Sequence, residues 1–376
     1  MRMHTTLPRH FYTDLEFYRS ELDSFYFKRW ICAGRADQIP NPGDFFIRVV
    51  GTESVIVTRD AAGEVRALFN VCRHRGTRLC EQEHGHFVDR IQCPYHAWTY
   101  DLSGRLLAAP HMPADFSRGE YPLHLAGCEV WDGHIFVNLS RALPPDPPDL
   151  PASPDPPALS AQLADLPRRF ANWRMGELRM HRRITYDVNA NWKLIVLNFN
   201  ECLHCPTLHP ALNRLHHYLG ADNVAPTPCY CGGSMGFKDG VETMSIDGKR
   251  RRNLLPGLDE VQRQHVTYFT IYPNLLLSLH PDYMMTHTLW PRAHDRTEIV
   301  CEWHFHPDEL ARRDFQADDA IEFWDTTNRE DWWIAEQSQA GINSRVYEPG
   351  PYSEREELLW SFDDIVRREA HARSKR

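Results

Sequence analysis

The stretch Cys72-Arg-His74, followed by Cys93-Pro-Tyr-His96, decides how the first half of this chain folds. Each pair combines one cysteine with one histidine, and residues 75–92 separate the two pairs. Both pairs lie beside short stretches that alternate strand and turn signals, so each tight loop can present two ligands to one centre. Thiolates paired with imidazoles are typical of zinc sites and of iron–sulfur clusters. The sequence therefore predicts a metal centre here.

The way the ligands are divided between the loops favours one kind of centre. A zinc finger usually takes two thiolates from one turn and two imidazoles from a helix, whereas here each loop supplies one of each. That division suits a [2Fe–2S] cluster in which two cysteines hold one iron and two histidines hold the other, the Rieske arrangement. Neutral imidazoles remove negative charge and raise the reduction potential to ~−150 to +300 mV. A zinc knuckle is the alternative.

A proline-rich segment divides the chain. Residues 142–160 contain eight prolines and are expected to form a linker or surface strap. We expect residues 1–40 to form a helical segment packed on the C-terminal domain, and residues 41–141 to form a small antiparallel β domain. Residues 161–376 contain long predicted strands joined by turns, with two helical stretches beside them. We expect an antiparallel sheet with helices on one side, which is an α+β domain. The predicted strands of the first half are FFIRVV (45–50), SVIVTR (54–59), VRALFN (65–70) and HIFVNL (134–139).

Composition excludes several classes of protein. The chain has 376 residues, of which 42% are hydrophobic and 25% charged, which is typical of globular proteins. Its net charge of −9 provides no basic field for nucleic acid, and we expect the charge run 249–252 to be solvated. No apolar stretch reaches the ~18–20 residues of a membrane helix, and ten cysteines are too few for a disulfide scaffold. We expect a cytoplasmic protein that binds neither nucleic acid nor membranes.

A second histidine cluster follows the linker. Asn191 begins a predicted helix that continues through Glu201 to His204, and His209 follows five residues later. Five residues correspond to about 140° around a helix, so a regular helix cannot direct both histidines at one ion. Pro206 is expected to disrupt the helix after His204 and bring His209 in from the next turn. Two histidines and a carboxylate form the facial triad of Fe(II) enzymes that activate O₂.

The third ligand of such a triad must come from further along the chain. The predicted helix that includes residues 323–336 offers Asp325, Glu330 and Asp331. Its apolar periodicity places Asp325 and Asp331 on opposite flanks of the buried face. Helical geometry alone therefore leaves both of them open as the ligand.

The two clusters and their surroundings resemble the alpha (oxygenase) subunits of Rieske-type non-heme iron oxygenases. The resemblance rests on NVCRHRGTRL (70–79), CPYHAWTYDLSGRL (93–106), and N-W-K (191–193) followed by E-x-x-H-x-x-x-x-H (201–209). It implies a helix-grip catalytic domain with mononuclear iron held by His204 and His209. It favours Asp331 over Asp325, because the family's carboxylate ligand lies in an E-D segment just upstream of E-x-x-Q, which is 336–339 here.

The resemblance also implies electron transfer from other proteins. Electrons come from NAD(P)H through a separate flavin reductase, directly or through a ferredoxin, and this sequence has no glycine fingerprint for nucleotides. The family forms rings, usually trimers, in which a carboxylate links a cluster histidine of one subunit to an iron ligand of its neighbour. In this chain the implied pair is Glu201 and His96, although many relatives carry aspartate in place of Glu201.

The substrate is open at this level. We expect hydroxylation or oxidative N-demethylation of a small quaternary amine or betaine, with an aromatic ring dioxygenase or an aromatic acid hydroxylase or demethylase as alternatives. A Rieske electron carrier or a zinc-binding protein without oxygenase activity is an alternative of a different class. Cys202 and Cys205 are expected to be small buried residues beside the iron helix, and a zinc site or redox pair is the competing interpretation.

Overall fold

The computed structural model describes residues 3–142 and 156–373. Within them the chain divides into two compact units, here named the N-terminal unit (Phe25–Gln162) and the C-terminal unit (Met1–Ser24 with Leu163–Arg376). Most of the predicted linker 142–160, namely residues 143–155, lies outside the described residues. No helix in the described ranges combines the length and the apolar character needed to cross a membrane.

The N-terminal unit consists of three antiparallel sheets, with the strand orders β4-β3-β2-β5, β6-β7-β8 and β1-β10-β9. All four strands predicted from the sequence are present, each within one residue of its expected bounds. The strands are β1 (Ile31–Arg35), β2 (Asp44–Val50), β3 (Glu53–Arg59), β4 (Val65–Phe69), β5 (His84–His86), β6 (Arg90–Gln92), β7 (Thr99–Asp101), β8 (Leu106–Ala108), β9 (Gly127–Trp131) and β10 (His134–Asn138).

The prediction that residues 1–40 are helical is wrong for Ile31–Arg35. Ile31–Arg35 forms strand β1, in which all five residues are buried and which pairs antiparallel with β10. Tertiary pairing with a strand about a hundred residues away therefore overrides the local helical pattern. A separate buried cluster of this unit includes Leu68, Trp98 and Tyr100 together with Cys72 and Cys93, so both cysteines of the first motif point into a core.

The C-terminal unit is built on a seven-stranded antiparallel sheet in the order β11-β17-β16-β15-β14-β13-β12. The strands are β11 (Arg179–Val188), β12 (His216–Asn223), β13 (Tyr230–Phe237), β14 (His265–Ile271), β15 (Leu275–Leu279), β16 (Met284–Ala293) and β17 (Arg296–Phe305). The α-helices of the chain are α1 (His10–Thr13), α2 (Leu15–Glu21), α3 (Leu159–Leu163), α4 (Leu166–Arg169), α5 (Trp192–Phe199), α6 (Cys205–Leu208), α7 (Pro210–Asn213), α8 (Glu260–Arg263), α9 (Pro307–Leu310), α10 (Asp318–Ile342) and α11 (Glu357–Arg373). Helices α5 and α10 contact each other, which brings two distant sequence segments together.

Helix α5 is shorter than the sequence predicted. It ends at Phe199 instead of continuing to His204, because Asn200 caps it by donating its side-chain amide to the carbonyl of Val196. Pro206 does not disrupt a helix; it lies in the first turn of α6, where no backbone N–H is needed for an intrahelical bond. The predicted geometry of this segment is therefore wrong, although the chain does change direction around His204.

Two buried ion pairs stabilise the C-terminal unit. Lys193 donates to Glu21 at 2.8 Å and so ties helix α5 to α2, and both side chains are almost fully buried. Arg252 is also buried and pairs with Asp282 at 2.9 Å and with Asp319. The expectation that the charge run 249–252 is solvated is thus wrong for Arg252, because two carboxylates compensate its charge inside the protein.

Candidate metal centres and the cavity beside the iron site

The two loops of the first motif have the same backbone construction. In each loop the cysteine N–H donates to the carbonyl five residues later, Cys72 to Thr77 and Cys93 to Trp98, both at 2.8 Å. The residue four positions after each cysteine donates back to its carbonyl and has a positive φ, 72° at Gly76 and 55° at Ala97. Glycine adopts this conformation freely, whereas alanine adopts it only where the surroundings hold it. Both loops are therefore tight and closed.

The four side chains of this motif meet at one place. Cys72 and Cys93 are buried in the same core cluster, and the rings of His74 and His96 are 4.8 Å apart between centroids. His74 also stacks on Trp98 at 4.8 Å. The Nδ1 atom of His96 is buried and has no hydrogen-bond partner in the described residues. A [2Fe–2S] cluster of the Rieske type takes two thiolates and two imidazole nitrogens, and these four side chains supply that donor set.

The second centre is formed at the two ends of a single helical turn. His204 immediately precedes helix α6 and His209 immediately follows it, so four helical residues separate the two rings. Asp331 enters from helix α10, and its Oδ1 lies 2.8 Å from His209 Nε2 and 3.5 Å from His204 Nε2. One ligand atom of each of the three residues lies within 4.8 Å of the others. The three side chains thus fit a single metal ion on one face.

A second layer of carboxylates orients the two histidines. His204 Nδ1 bonds Glu201 Oε1 at 2.5 Å, and His209 Nδ1 bonds Glu330 Oε2 at 2.6 Å. With each Nδ1 bonded to a carboxylate, both Nε2 atoms are directed towards Asp331. Asn198 donates to Asp331 Oδ1 at 2.6 Å and holds the third side chain. Carboxylate partners of this kind fix ring orientation and increase the basicity of metal-ligating histidines.

Burial and hydrogen bonds between oppositely charged groups have opposing effects on the pKa values of His204 and Asp331. Burial favours the neutral imidazole of His204, but hydrogen bonds to Asp331 and Glu201 outweigh it and raise the pKa of this ring to about 9. Burial also opposes ionisation of Asp331, yet hydrogen bonds from His204 and His209 hold the pKa of this carboxyl below its ordinary value. The carboxylate is therefore ionised at neutral pH, as a metal ligand must be.

The two carboxylates that the sequence left open lie in different surroundings. Asp325 accepts hydrogen bonds from the Tyr186 hydroxyl at 2.7 Å and from Arg329 at 3.0 Å, and it is not part of the three-residue cluster. Asp325 and Asp331 are six positions apart in the sequence, which places them about 120° apart around α10. The structure brings Asp331 to the histidines and leaves Asp325 in an ion pair.

Sequence reasoning missed the roles of Glu330 and Asn198. Glu330 was considered only as a metal ligand, whereas it contacts the outer nitrogen of His209. Two consecutive acidic residues on a helix point about 100° apart, so they can hold opposite sides of one imidazole ring. That spacing is the signal that could have identified Glu330. Asn198 gives no such signal, because its partner Asp331 lies 133 residues away.

Cys202 and Cys205 form a disulfide that flanks His204. His216 lies beside it, with Nε2 at 3.8 Å from Cys202 Sγ. Both cysteines are buried, as expected from the sequence, but the disulfide corresponds to the redox pair that was the less favoured interpretation.

A cavity of about 280 Å³ opens beside the second centre. Its lining includes the three cluster residues and also Phe199, Tyr268 and Trp324. The rings of Phe199 and Tyr268 are 6.0 Å apart at 90°, and those of Tyr268 and Trp324 are 6.3 Å apart at 78°. Five other aromatic residues of the C-terminal unit belong to the buried core instead, namely Tyr272, Tyr283, Trp290, Trp303 and Phe305.

Comparison with known proteins identifies both halves of the chain. Residues 29–126 match the family model of the Rieske [2Fe-2S] domain, and residues 175–371 match that of the ring hydroxylating alpha subunit (catalytic domain). The glycine betaine monooxygenase oxygenase subunit of Pseudomonas aeruginosa (strain UCBPP-PA14) is 33% identical over 94% of this chain and 86% of its own length. The carnitine monooxygenase oxygenase subunit of Escherichia coli (strain K12) is 32% identical over 55% of this chain and 53% of its own length.

Solved structures show the same fold. The quaternary ammonium Rieske monooxygenase CntA in complex with L-carnitine superposes with a TM-score of 0.78 at 23% identity, over 98% of this chain and 96% of that one. Naphthalene 1,2-dioxygenase from Rhodococcus sp. superposes with a TM-score of 0.74 at 18% identity, over 96% and 94%. Both domains, their order and the α+β class agree with the expectation from the sequence. The chain belongs to the Rieske-type non-heme iron oxygenases, as an oxygenase alpha subunit whose cofactors are a [2Fe–2S] cluster and mononuclear iron.

Proposed function

We propose that this chain is the terminal oxygenase of a multicomponent system that removes an N-methyl group from a small quaternary ammonium compound. The observation that supports this most directly is the lining of the cavity beside Asp331. The ring of Tyr268 lies at nearly right angles to those of Phe199 and Trp324, and all three residues line the cavity that contains the iron-site residues. The glycine betaine and carnitine monooxygenase relatives are named for substrates of this chemical class.

Aromatic walls suit a cation that carries no hydrogen-bond donors. A trimethylammonium group cannot be recognised by hydrogen bonds, so its affinity comes from ring faces and from nearby negative charge. Trp324 is almost fully buried and Tyr268 is half-buried, so both present their rings away from bulk water. Iron bound by Asp331 would neutralise that carboxylate, so in this proposal the ring faces supply the attraction for the cation. A neutral aromatic hydrocarbon lacks the charge that these ring faces attract.

The cavity rim suggests a second recognition element. Arg355 lies at the rim and is solvent-exposed. A guanidinium at this place would pair with a carboxylate on the substrate, so a betaine would be held at both ends. We therefore place amino acid betaines ahead of simple quaternary amines as the substrate class.

Seven side chains hold the two cofactors in this proposal. The cluster is held by Cys72, Cys93, His74 and His96, and the mononuclear iron by His204, His209 and Asp331. When bound, the cluster supplies single electrons and the iron supplies reductive O₂ activation, so that one oxygen atom enters an N-methyl C–H bond and the second leaves as water. The resulting hydroxymethyl group leaves as formaldehyde together with a proton, and a tertiary amine remains.

The residues around the iron have distinct tasks. Glu201 and Glu330 hold the two histidine rings through Nδ1, and Asn198 holds Asp331. The apolar and aromatic cavity walls exclude water and direct a bound methyl group towards the iron. These tasks are positional and need no proton transfer from the protein to the substrate.

We also propose that Glu201 links His204 to His96 of a neighbouring subunit in a trimer, with electrons delivered by a flavin reductase, directly or through a ferredoxin. Glu201 uses Oε1 for His204 and Oε2 for backbone N–H groups of the following turn, including that of Leu203. Its side chain remains 17% exposed, so an approaching imidazole can reach it. Glutamate is one methylene longer than the aspartate of many relatives, so the geometry of this bridge would differ from theirs.

A substrate panel tests the proposal. The holoenzyme is assayed with a surrogate reductase against glycine betaine, carnitine, choline and naphthalene, and both formaldehyde and hydroxylated products are measured. We expect formaldehyde in stoichiometric amounts with the betaines and a lower kcat/KM with choline, which has no carboxylate. A cis-diol or phenol from naphthalene without formaldehyde from any amine would overturn the proposal in favour of an aromatic ring oxygenase.

Variants of Tyr268 test whether the aromatic walls of the cavity bind the cation. Tyr268→Leu removes one wall and should raise KM for a quaternary amine by about tenfold, whereas Tyr268→Phe keeps the ring and serves as the matched control. Equal KM values for the leucine and phenylalanine variants would show that the ring does not bind the cation.

A further inference from the structure

The disulfide between Cys202 and Cys205 lies within the iron site. The two Cα atoms are 5.0 Å apart, well inside the range that a disulfide spans without distortion of the backbone. The bond closes a small ring that contains His204, one of the proposed iron ligands. Both cysteines also line the cavity that contains His204, His209 and Asp331. A small molecule in this cavity therefore lies beside the pair, of which Cys202 is 9% exposed and Cys205 is 2% exposed.

His216 lies next to the disulfide and forms a three-residue group with Cys202 and Cys205. His216, at the start of β12, is 1% exposed, and its Nε2 lies 3.8 Å from Cys202 Sγ. Its Nδ1 is buried without a hydrogen-bond partner in the described residues. When the cysteines are reduced, the ring can accept a hydrogen bond from the Cys202 thiol and hold its sulfur beside that of Cys205.

A metal ion is the competing occupant of this group. The three side chains have ligand atoms within 4.8 Å of one another, and cysteine and histidine are the usual zinc ligands. A structural zinc site uses four protein ligands, however, and this group contains three within the described ranges. The sulfur atoms are also bonded to each other. The geometry favours a dithiol–disulfide pair over a zinc site.

We propose that Cys202 and Cys205 are a reversible redox modification site, oxidised by hydrogen peroxide, whose disulfide form holds the turn that carries His204. The second half of this proposal rests on the proposed function, in which His204 binds iron. Hydrogen peroxide is the two-electron reduction product of O₂, which is a substrate of this oxygenase family. A disulfide in a reducing compartment is usually transient, so the pair would report local peroxide.

The oxidation balances without a further reactant. One cysteine sulfur attacks a peroxide oxygen, the O–O bond breaks, and a sulfenic acid and one water molecule form. The second cysteine sulfur then displaces the hydroxyl group as a second water molecule, and the S–S bond forms. The two thiols lose two electrons and two protons, and the peroxide is reduced to two waters. A thiol or phosphine reverses the reaction by reducing the S–S bond.

The bond should affect how firmly the turn holds iron. In the iron-free protein a cross-link between residues 202 and 205 limits the conformations of the segment that carries His204, so less entropy is lost when His204 binds. We expect iron to leave the disulfide form about threefold to tenfold more slowly than the dithiol form.

Peptide mass spectrometry tests the modification site directly. The holoenzyme is treated with a phosphine or with one equivalent of hydrogen peroxide. Its remaining thiols are alkylated after denaturation, the protein is digested, and the peptide masses are measured. We expect two alkylated cysteines at 202 and 205 after the phosphine, and a linked pair after peroxide that the phosphine reverses. A sulfinic acid at Cys202, no linkage after peroxide, or one stoichiometric zinc per chain that protects both thiols would each overturn the site.

Chelator challenge tests the effect on iron. Loss of mononuclear iron is followed in both redox states while the cluster absorbance confirms an intact Rieske domain. Cys202→Ser should lose the difference between the two states, and Cys128→Ser, which leaves the disulfide in place, should keep it. Equal rates for wild type in the two states would overturn the link to His204. The masses of the peptides that contain Cys202 and Cys205 do not depend on the substrate of the enzyme. If the enzyme does not N-demethylate any amine, the assignment of the redox site is therefore unaffected.

Discussion

The two candidate metal centres of this chain are built in opposite ways. At the first centre, two loops with the same hydrogen-bond pattern present all four side chains within 25 positions of the sequence, from Cys72 to His96. At the second, His209 and Asp331 are 122 residues apart and meet because α10 contacts α5. The first centre depends on local turns, whereas the second depends on helix packing. Damage to packing should therefore affect the iron before it affects the cluster.

The largest expected effect separates the two centres. Asp331→Ala, like His204→Ala or His209→Ala, should abolish turnover and mononuclear iron, because two protein ligands cannot hold the ion in this site. Metal analysis and the visible spectrum of the cluster measure the two centres independently. Asp325→Ala, on the same helix, is the matched control and should retain iron. Full activity in the Asp331 variant together with loss in the Asp325 variant would show that the third ligand is assigned wrongly.

The next effect concerns transfer between the centres. Glu201→Gln keeps the side-chain shape but removes the charge that holds the His204 Nδ1 proton, so we expect both metals to remain and electron transfer to slow by about a hundredfold. Single-turnover kinetics on pre-reduced protein measure the rate of Rieske oxidation. A wild-type rate would exclude the bridge, and so would an active enzyme that is strictly monomeric. Glu322→Gln, at an exposed position of α10, is the control for charge removal.

A third variant tests the first centre, the proposed [2Fe–2S] site, without altering the second. His96→Cys replaces a neutral ligand by a thiolate and should lower the cluster potential by on the order of 100 mV, which is about 50-fold in a one-electron equilibrium. Redox titration followed by absorbance measures the shift, and the mononuclear iron content should not change. His84→Cys adds a thiol at an exposed position of the same unit and should leave the potential unaltered. An unchanged spectrum and potential in His96→Cys would remove His96 from the ligand set.

Glu330→Gln tests whether the second centre depends on more than its ligands. Loss of the carboxylate on His209 Nδ1 weakens the orientation of the ring, so iron should dissociate about tenfold faster. The rate of iron loss to a chelator measures this, with Glu322→Gln again as the control on α10. Equal rates in Glu330→Gln and wild type would mean that α6 alone orients His209.

The last variant acts on stability and leaves both centres unchanged, because it alters a buried carboxylate outside them. Burial raises the pKa of Asp363 to about 7, and although Tyr352 donates to its Oδ2, its Oδ1 has no partner in the described residues. The folded state then keeps a proton that the unfolded state loses above about pH 4, so the free energy of unfolding falls as pH rises from about 4 to about 7. Asp363→Asn does not titrate and should be more stable than wild type at pH 8 by up to about 4 kcal/mol, with little difference at pH 4. Thermal unfolding at both pH values measures this, and Asp364→Asn is the control.

The contrast between the centres also explains which predictions succeeded. The Rieske motif could be read from the sequence because the spacing of four ligands within two short loops already limits the backbone to tight turns. The strands around it were predicted to within a residue because a run of β-branched and aromatic residues between turn residues is a local signal. Strand β1 was missed, because its stability comes from pairing with β10 and not from its own residues.

At the second centre the sequence identified the residue types but not their arrangement. Helix α5 ends early because Asn200 also bonds Thr270, which lies on a distant strand. Arg252 is buried because Asp282 and Asp319 reach it from other elements. Neither partner can be inferred from the spacing of residues along the chain.

The sequence by itself determined the domain order, the α+β class, the two metal motifs and the membership of an oxygenase family, because each of these depends on residue types at short fixed spacings. Only the tertiary structure decided that Asp331 and not Asp325 meets the histidines, that Glu330 holds the outer nitrogen of His209, and that Tyr268 and Trp324 face the cavity. The physical reason is that a helix periodicity defines which side chains share a face, whereas the packing of that helix against the rest of the fold defines what the face meets.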